Sequence, residues 1–335
     1  MMEMALSTQG VKDKVILQNL EISPPLALAP MVGLSHSAMR SLVQEQGCVG
    51  LLFTEMLAAR SLPDENEKHS PLLMRTAGEK PLFYQLFLTD IEDIEPAVQR
   101  LHQFDAQGID LNLGCPAPQL RRQGAGCYLV KDLVRLRSLL ARLRMTTTLP
   151  LSVKIRLGDQ LDQVALADLC RTLTGEGIDL LTVHGRLHGE KFCRKPHWEW
   201  IGKIKDMVKI PVLANGGIFS VNDARECLRI SGADGLMLGR GAALRPWLFA
   251  DIGREIYGCQ PEQPRLSREQ IYFRFIELLM ERFSTERQLG RLKQFTHYYA
   301  GTYTFGHHLA TAVQTSSSME QAAERANDFF ARCVC

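Results

Sequence analysis

Short apolar runs alternate with helical patterns eight times between about residues 26 and 245, and this alternation constrains the fold most strongly. Each run is almost continuously apolar, which is typical of parallel strands that are covered on both faces. The runs are PPLALAP (24–30), VGLLFTE (49–55), LFYQLF (82–87), IDLNLG (109–114), LSVKIRLG (151–158), DLLTVHG (179–185), IPVLANGG (210–217) and DGLMLGRG (234–241). The pattern predicts an α/β fold in which eight parallel strands close into a (β/α)8 TIM barrel.

The alternative is an open, doubly wound parallel sheet. Such a sheet is expected to carry a Gly-x-Gly-x-x-Gly turn after its first strand, where it binds a dinucleotide. This chain has Pro30-Met31-Val32-Gly33 at that position, which favours the closed barrel.

The composition changes at residues 258–264, where the segment GCQPEQP is typical of a linker. Only helical patterns follow it, so we predict a small all-α helical bundle over residues 265–335. The barrel is assigned to residues 26–257, and residues 1–25 are interpreted as a lead-in segment or an edge hairpin.

Nine cysteines are scattered through the 335 residues without any Cys-x-x-Cys pair, which favours reduced thiols in a cytoplasmic protein. No His or Cys lies near the Cys-Val-Cys end to complete a metal-ligand set, so no metal site is expected. We see neither a signal-peptide pattern nor the roughly 18 consecutive apolar residues of a membrane span. The net charge of +2 does not by itself indicate a nucleic-acid binder, so any basic face must be local.

Most of the predicted strands end on residues that core packing would not select, and a barrel carries its active site at these ends. In chain order they are Pro30 and Met31, Gln85, Asn112 and Cys115, Lys154 and Arg156, His184 and Arg186, Asn215 to Gly217, and Gly239 and Arg240. Because all these ends meet at one rim, the sequence predicts a single site there.

The last two strand ends are predicted to bind a phosphate group. Glycine lets backbone N–H groups approach an anion closely in Asn215-Gly216-Gly217 and at Gly239, and Arg240 adds a fixed positive charge. The alternative is that these glycines only form tight turns between a strand and a helix.

Lys154 lies within an apolar run, where an unpartnered ammonium is costly, so it must meet an anion, an electron-rich ligand or a structural carboxylate. Gln85 and Asn112 offer donors and acceptors that suit the edge of a planar heterocycle. His184 is interpreted as a ligand-contacting residue, with a satisfied core histidine as the alternative.

Cys115 is the reactive candidate, because Gly114 and Pro116 shape a turn that would present its thiol. A cysteine thiol with an unperturbed pKa of about 8.5 is mostly protonated at neutral pH and can donate a proton. The residues alone leave open whether Cys115 acts as an acid or as a nucleophile.

These motifs resemble a known family. The ordered segments APMVG, YQLF, DLNLGCPAP, VKIRLG, VHGR, IPVLANGGI and GLMLGRGA are similar to those of the flavin-dependent tRNA-dihydrouridine synthases of the bacterial type. The likeness spans residues 26–248, and RLKQFTHYYAG (291–301) resembles, more weakly, the basic-aromatic helix of that family's RNA-binding domain. The RLKQF form favours the branch that acts at position 16 of tRNA.

The resemblance implies an FMN-binding barrel that reduces the C5–C6 double bond of a D-loop uridine, with NADPH as the reductant of FMN. It places Pro30, Met31 and Val32 along the flavin, Gln85 and Lys154 at its ring, and His184 near the ring or the bound base. It assigns the phosphate to Asn215, Gly216, Gly217, Gly239 and Arg240. Cys115 would be the general acid, donating a proton to uracil C5 after hydride transfer to C6, and Asn112 and Arg156 would contact the uracil edge.

Arg121, Arg122, Arg291 and Lys293 are the candidate contacts to tRNA phosphates, with a merely solvated basic surface as the alternative. The expected assembly is a monomer. Two other functions remain open: reduction of a free pyrimidine, as in dihydroorotate and dihydropyrimidine dehydrogenases, and tRNA binding by a barrel without turnover. The intact set Cys115, Lys154 and His184 argues against the second of these.

Overall fold

The computed structural model describes residues 12–66 and 70–333, with side chains to Arg332. Eleven strands lie in this part of the chain: β1 (Val15–Leu17), β2 (Leu20–Ile22), β3 (Leu26–Leu28), β4 (Leu52–Phe53), β5 (Leu57–Ala58), β6 (Leu82–Phe87), β7 (Gly108–Leu113), β8 (Leu151–Arg156), β9 (Leu180–His184), β10 (Val212–Asn215) and β11 (Gly235–Leu238). The main sheet has the order β3-β11-β10-β9-β8-β7-β6-β4, and all its neighbours are parallel. Ala27 pairs with Leu51 and closes the ring, so the predicted TIM barrel is confirmed.

The second barrel strand is shorter than the apolar run at 49–55 suggests, because it is divided into β4 and β5. Thr54 lies between the two pieces, and its Oγ1 accepts a hydrogen bond from the backbone N–H of Gln85 at 3.1 Å. A side-chain acceptor therefore replaces a backbone acceptor at this point, and the sheet ladder is interrupted. The prediction of a strand here was right in place and wrong in extent.

Thirteen α-helices follow the strands or form the C-terminal region. They are α1 (Ser37–Gln46), α2 (Ile94–Gln103), α3 (Pro118–Arg122), α4 (Leu133–Thr146), α5 (Gln163–Gly175), α6 (Trp198–Met207), α7 (Val221–Ser231), α8 (Arg240–Leu244), α9 (Leu248–Tyr257), α10 (Arg268–Arg282), α11 (Thr285–Tyr299), α12 (Gly306–Gln314) and α13 (Met319–Cys333). Three 3₁₀ segments, at 59–64, 126–131 and 300–302, complete the described elements. No helix in the two described ranges is long and apolar enough to cross a membrane.

The antiparallel pair β1–β2 covers the end of the barrel opposite the predicted site. Val15, Leu17 and Ile22 are buried in the same apolar cluster as barrel residues such as Phe83. Lys12 binds Asp234 at 2.6 Å, immediately before β11 begins. The predicted lead-in segment thus contains a hairpin that plugs the amino-terminal end of the strands, and residues 1–11 lie outside the described part.

Helices α10–α13 pack against each other and against the barrel. His36, just before α1, stacks on Phe275 with 6.0 Å between the ring centroids and meets Phe283 edge-on at 5.1 Å. Arg274 binds Glu45 at 2.8 Å across the same contact. Since one apolar core runs through both parts, the boundary between the two predicted domains stays a prediction.

Candidate active site

A cavity of about 820 Å³ opens at the carboxyl ends of the barrel strands. Fifteen of the residues selected from the sequence line it, and they share a position at or just beyond a strand end. These fifteen are Pro30, Met31, Val32, Gln85, Asn112, Cys115, Lys154, Arg156, His184, Arg186, Asn215, Gly216, Gly217, Gly239 and Arg240. The structure therefore brings the predicted site together in one place, and its size suits a small-molecule or cofactor ligand.

The charge of the cavity wall favours an anionic ligand. Among the residues that the structure describes, five cationic side chains line it, against the single carboxylate of Glu190. The cations are Lys154, Arg156, Arg186, Lys191 and Arg240. Such an excess of fixed positive charge in a partly closed cavity attracts phosphate or another anion.

Lys154 extends from β8 into the floor of the cavity. Burial, and to a smaller extent the charge of Arg156, lower its pKa to about 8, although the carboxylate of Asp110 acts in the opposite direction. No carboxylate of the described residues forms a salt bridge with this ammonium group. The alternative of a structural ion pair is thus not found among the described residues, and Lys154 is left to interact with a ligand in the cavity.

His184 is buried at the end of β9 and is held in one tautomer. Its Nε2 lies 3.1 Å from Nη1 of Arg186, and a guanidinium can only donate. Nε2 is therefore the acceptor, and Nδ1 carries the proton. Burial, followed by Lys154 and three arginines, holds the pKa of His184 far below its ordinary value, so the ring is a neutral hydrogen-bonding group and does not act as an acid.

Cys115 is half-buried at the cavity wall, and the turn that presents it is held by Asn112. The Oδ1 atom of Asn112 accepts the backbone N–H groups of Gly114 at 3.2 Å and of Cys115 at 3.0 Å. The Nδ2 atom of Asn112 donates to Oε1 of Gln85 at 2.9 Å. Asn112 thus shapes the loop that carries the thiol in addition to facing the cavity.

Glycine is required at Gly216 by both conformation and space. Its φ of 111° lies in a region that residues with a side chain rarely adopt, and a Cβ there would lie 2.7 Å from Cδ2 of His184. The neighbouring Asn215 directs its side chain away, donating to the carbonyl of Met237 at 2.7 Å. The segment therefore offers bare backbone to the cavity, as phosphate binding requires.

The loop after β9 covers the basic side of the cavity. Its Phe192 stacks on the His184 ring with centroids 6.0 Å apart and lies beneath the guanidinium of Arg240 at 4.6 Å. Arg186 binds the carbonyls of Phe192 and Arg194, and Arg240 binds that of Phe192 at 3.1 Å. Two of the cations are therefore held in place by this loop, which orients their charges toward the cavity.

Helix α11 of the C-terminal region contributes Gln294 and Tyr298 to the cavity rim. Gln294 donates to the carbonyl of Val32 at 3.0 Å. On the barrel side, Glu55 accepts the N–H of Gly33 at 2.6 Å. The loop between β3 and α1 is consequently held from two sides, and the helical region takes part in building the site.

The four residues selected as RNA contacts lie outside the cavity wall. Arg121 and Arg122 are exposed on α3, directly after the Cys115 turn. Lys293 is half-buried on α11, whereas Arg291 packs over the Phe283 ring at 4.2 Å and bonds to the carbonyl of Arg287. The exposed pair Arg121–Arg122 is therefore better placed than Arg291 and Lys293 to contact a macromolecule.

Several residues of the site escaped the reasoning from sequence, and three of them make contacts that shape it. Phe192 and Gln294 lie in segments without a strand-end signal. Their positions at the cavity follow from contacts between separate parts of the fold. Asp110 is fully buried beneath the floor and bonds to Gln85 at 2.6 Å. An acidic residue inside the apolar run at 109–114 was the available signal for it.

The family model described as Dihydrouridine synthase (Dus) matches residues 27–332. The chain is 31% identical over 315 residues to the tRNA-dihydrouridine(16) synthase of Aquipseudomonas alcaligenes, covering 91% of this chain and 98% of that one. It is 31% identical to the protein of the same name from Neisseria meningitidis, covering 91% and 94%. A 2-naphthoyl-CoA reductase structure aligns with a TM-score of 0.56 at 11% identity, covering 76% of this chain and 53% of that one, a likeness of fold.

Proposed function

The chain belongs to the dihydrouridine synthase family, and we propose that it reduces the C5–C6 double bond of a uridine in the D-loop of tRNA. In this proposal FMN is the cofactor, NADPH reduces it and Cys115 donates the proton. The observation that carries the proposal is the single cavity in which Cys115, Lys154 and the Gly216 turn face one another. Its lining would suit a flavin with a uracil ring between the flavin and Cys115.

The residues present fit FMN. The bare backbone at Gly216 and Gly217, together with Arg240 and Gly239, would hold the phosphate. Lys154, which forms no salt bridge in the described chain, would meet the electron-rich edge of the ring. Gln85 and the neutral His184 would complete the contacts to the ring system, with Pro30 to Val32 along its side.

When bound, reduced FMN would supply a hydride, the electron pair together with its hydrogen, to C6 of the uracil. The chain must then supply a proton at C5, and Cys115 is the half-buried donor on the cavity wall. His184 is unsuited to this task because its imidazole is neutral and its Nε2 is already an acceptor. Lys154 would stabilise negative charge on the cofactor electrostatically.

Asn112 and Arg156 would orient the uracil edge within the same cavity. Arg156 is held by the carbonyls of Leu187 and His188 at 3.2 and 3.3 Å. The other N–H groups of the Arg156 guanidinium are therefore held in a fixed orientation. A uridine has to leave the stacked tRNA core to reach these groups, as for other enzymes that act on single bases.

The exposed pair Arg121–Arg122 and the helix residues Arg291 and Lys293 would contact tRNA phosphates. Removing both exposed arginines should weaken tRNA binding and flatten its salt dependence. Since two of the relatives are named for position 16, we propose uridine 16 as the target. A cytoplasmic monomer, with residues 265–335 as the tRNA-binding domain, completes the proposal.

The proposal is tested by the spectrum and the product. Purified protein, reconstituted with FMN if necessary, should be yellow, lose its colour with NADPH and regain it when unmodified tRNA is added without oxygen. Mass mapping of that tRNA should place dihydrouridine at position 16. Reoxidation by free uracil or uridine, with none by tRNA, would favour the free-pyrimidine alternative, and failure to bind FMN would contradict both.

A further inference from the structure

Asp110 has no role in the proposed reaction, although it lies directly beneath the site. It stands in the middle of β7, is 0% exposed and does not line the cavity. Its neighbours in register are Gln85 on β6 and Ser152 on β8. An aliphatic residue would pack here at less cost than a buried carboxylate, so the presence of an acid requires an explanation.

The carboxylate is fully engaged as a hydrogen-bond acceptor. Its Oδ2 accepts from Nε2 of Gln85 at 2.6 Å, and its Oδ1 accepts from Oγ of Ser152 at 2.5 Å. No described cation forms a salt bridge with it. Asp110 is therefore held by neutral donors of the two adjacent strands, one of which faces the cavity.

These bonds continue to the reactive turn in one fixed direction. The backbone N–H groups of Gly114 and Cys115 can only donate, so Oδ1 of Asn112 must face them. The Nδ2 of Asn112 then donates to Oε1 of Gln85. Gln85 is left with its NH₂ group toward Asp110. Every donor in this series of hydrogen bonds therefore points toward the carboxylate.

We propose that Asp110 is a positioning residue that fixes the amide of Gln85 and, through Asn112, the turn that carries Cys115. A reversed Gln85 amide would place its oxygen against the carboxylate and its NH₂ group against the NH₂ group of Asn112. Burial raises the pKa of Asp110 to about 6, so at neutral pH the carboxylate is mostly ionised and only accepts, which forbids that orientation. Only one arrangement of the two amides therefore satisfies all the donors.

The position in the sheet explains why an acid is used here. Gln85, Asp110 and Ser152 occupy neighbouring positions on three parallel strands, so the barrel floor aligns the donors on either side of the carboxylate. A buried polar chain specifies one geometry only when all its members are satisfied. The contribution of Asp110 to catalysis rests on the proposed function, whereas its effect on the turn can be measured without it.

The test compares Asp110→Ala with Asp110→Asn in the full-length protein. Asparagine keeps an oxygen for Gln85 and can donate to the Ser152 hydroxyl, so it should preserve the orientation, whereas alanine removes the acceptor. In flavin-free protein, hydrogen exchange of the Gly114 and Cys115 amides should accelerate about tenfold in Asp110→Ala and less than about threefold in Asp110→Asn. Exchange over 212–238, on the far side of the barrel, serves as the control and should stay unchanged.

Kinetics supply a second measurement. With FMN bound, Asp110→Ala should lower kcat for uridine reduction about tenfold to hundredfold, the range seen when a partner of a site residue is removed. The KM for tRNA should stay within about threefold, because the exposed arginines are untouched. A defect confined to KM would overturn the positioning role.

Unchanged exchange at Gly114 and Cys115 in Asp110→Ala would also overturn the proposal, as would equal acceleration over 212–238. If Asp110→Ala does not fold, Ser152→Ala removes one of the two donors and should give a smaller acceleration confined to the same two amides. Absence of that local effect in a folded Ser152→Ala protein would then refute it. Failure of the wild-type protein to modify tRNA would contradict the proposed function and leave the exchange result to be judged alone.

Discussion

The two sides of the cavity are built by different means. On the side of β6, β7 and β8, the polar groups are side chains that bond to one another across the strands, from Asp110 through Gln85 and Asn112 to the Cys115 turn. On the side of β9, β10 and β11, the groups offered to a ligand are glycine backbone and arginines held by the loop after β9. The first arrangement fixes one geometry for Cys115, the proposed proton donor. The second would accommodate an anion with less dependence on any single side chain.

This difference leads to distinct expectations for variants. Changes in the hydrogen-bonded series from Asp110 to the Cys115 turn should impair the chemical step. Changes on the second side, and of Lys154 on β8, should impair cofactor binding.

The largest effect should follow Cys115→Ala. Loss of a positioned proton donor typically costs about 10²-fold to 10⁴-fold in rate, so dihydrouridine formation should fall by that factor while FMN binding is retained. Dihydrouridine per tRNA is measured by mass spectrometry over time. Cys193→Ala, which removes an exposed thiol of the loop after β9, is the matched control, and equal activity in the two variants would remove Cys115 from the mechanism.

Lys154→Met should weaken FMN binding about tenfold to hundredfold, because a hydrogen bond to a charged group contributes about 1.5–3 kcal/mol. Fluorescence titration of FMN measures the dissociation constant. Lys191→Met removes a second, exposed cation of the cavity wall and should have a much smaller effect. Similar losses in the two variants would indicate a diffuse electrostatic role instead of a specific contact.

The pH dependence of FMN binding is a second test of the contact between Lys154 and FMN. Because the pKa of Lys154 in the flavin-free site is lowered to about 8, its ammonium is present below that pH and is lost above it. The dissociation constant in the wild-type protein should therefore rise with pH beyond about 8, by at most about tenfold per unit. Lys154→Met should be flat over this window, and a parallel rise in both proteins would exclude Lys154 as the titrating group.

Gly216→Ala should weaken FMN binding about tenfold with little effect on the reduction of uridine at saturating FMN. A residue with a side chain at this φ is strained by about 1–3 kcal/mol, and the added Cβ would crowd the His184 ring. Gly189 also lines the cavity but has open space around it, so Gly189→Ala is the control. An unaltered dissociation constant in Gly216→Ala would contradict the assignment of cofactor binding to the side of β9, β10 and β11.

The smallest effect is expected for Gln294→Ala, which removes the hydrogen bond from the helical region to Val32. One such bond contributes about 0.5–1.5 kcal/mol, so FMN affinity should fall about threefold to tenfold. The neighbouring exposed residue His297 offers a control in His297→Ala. A loss as large as that of Lys154→Met would mean that the helical region, and not the barrel floor, governs the cofactor site.

The barrel and most of its rim could be predicted because the relevant signals are local. Continuous apolar runs mark doubly covered strands, and a residue such as Lys154 or Asn112 stands out where such a run should end. Glycines at the last two strand ends indicate bare backbone that faces the cavity. Parallel topology then brings the strand ends together without further information.

The missing parts depend on contacts between distant segments. Gln294 reaches Val32 from a position 262 residues away along the chain, and no local pattern indicates that contact. Asp110 was visible as an acid in an apolar run, but its meaning depends on the register that aligns it with Gln85 and Ser152. The division of the second strand by Thr54 likewise follows from a hydrogen bond to another strand.

The central claim is that the Cys115 turn supplies the proton whereas Lys154 and the glycine turns after β10 and β11 hold the cofactor, and a single-turnover experiment separates the two roles. Wild-type and Cys115→Ala proteins are loaded with FMN, reduced by NADPH without oxygen and mixed with unmodified tRNA in a stopped-flow instrument. We predict equal flavin reduction in both proteins, rapid reoxidation by tRNA in the wild type and reoxidation at least about a hundredfold slower in the variant. Reoxidation of Cys115→Ala at the wild-type rate, with dihydrouridine formed, would contradict the account.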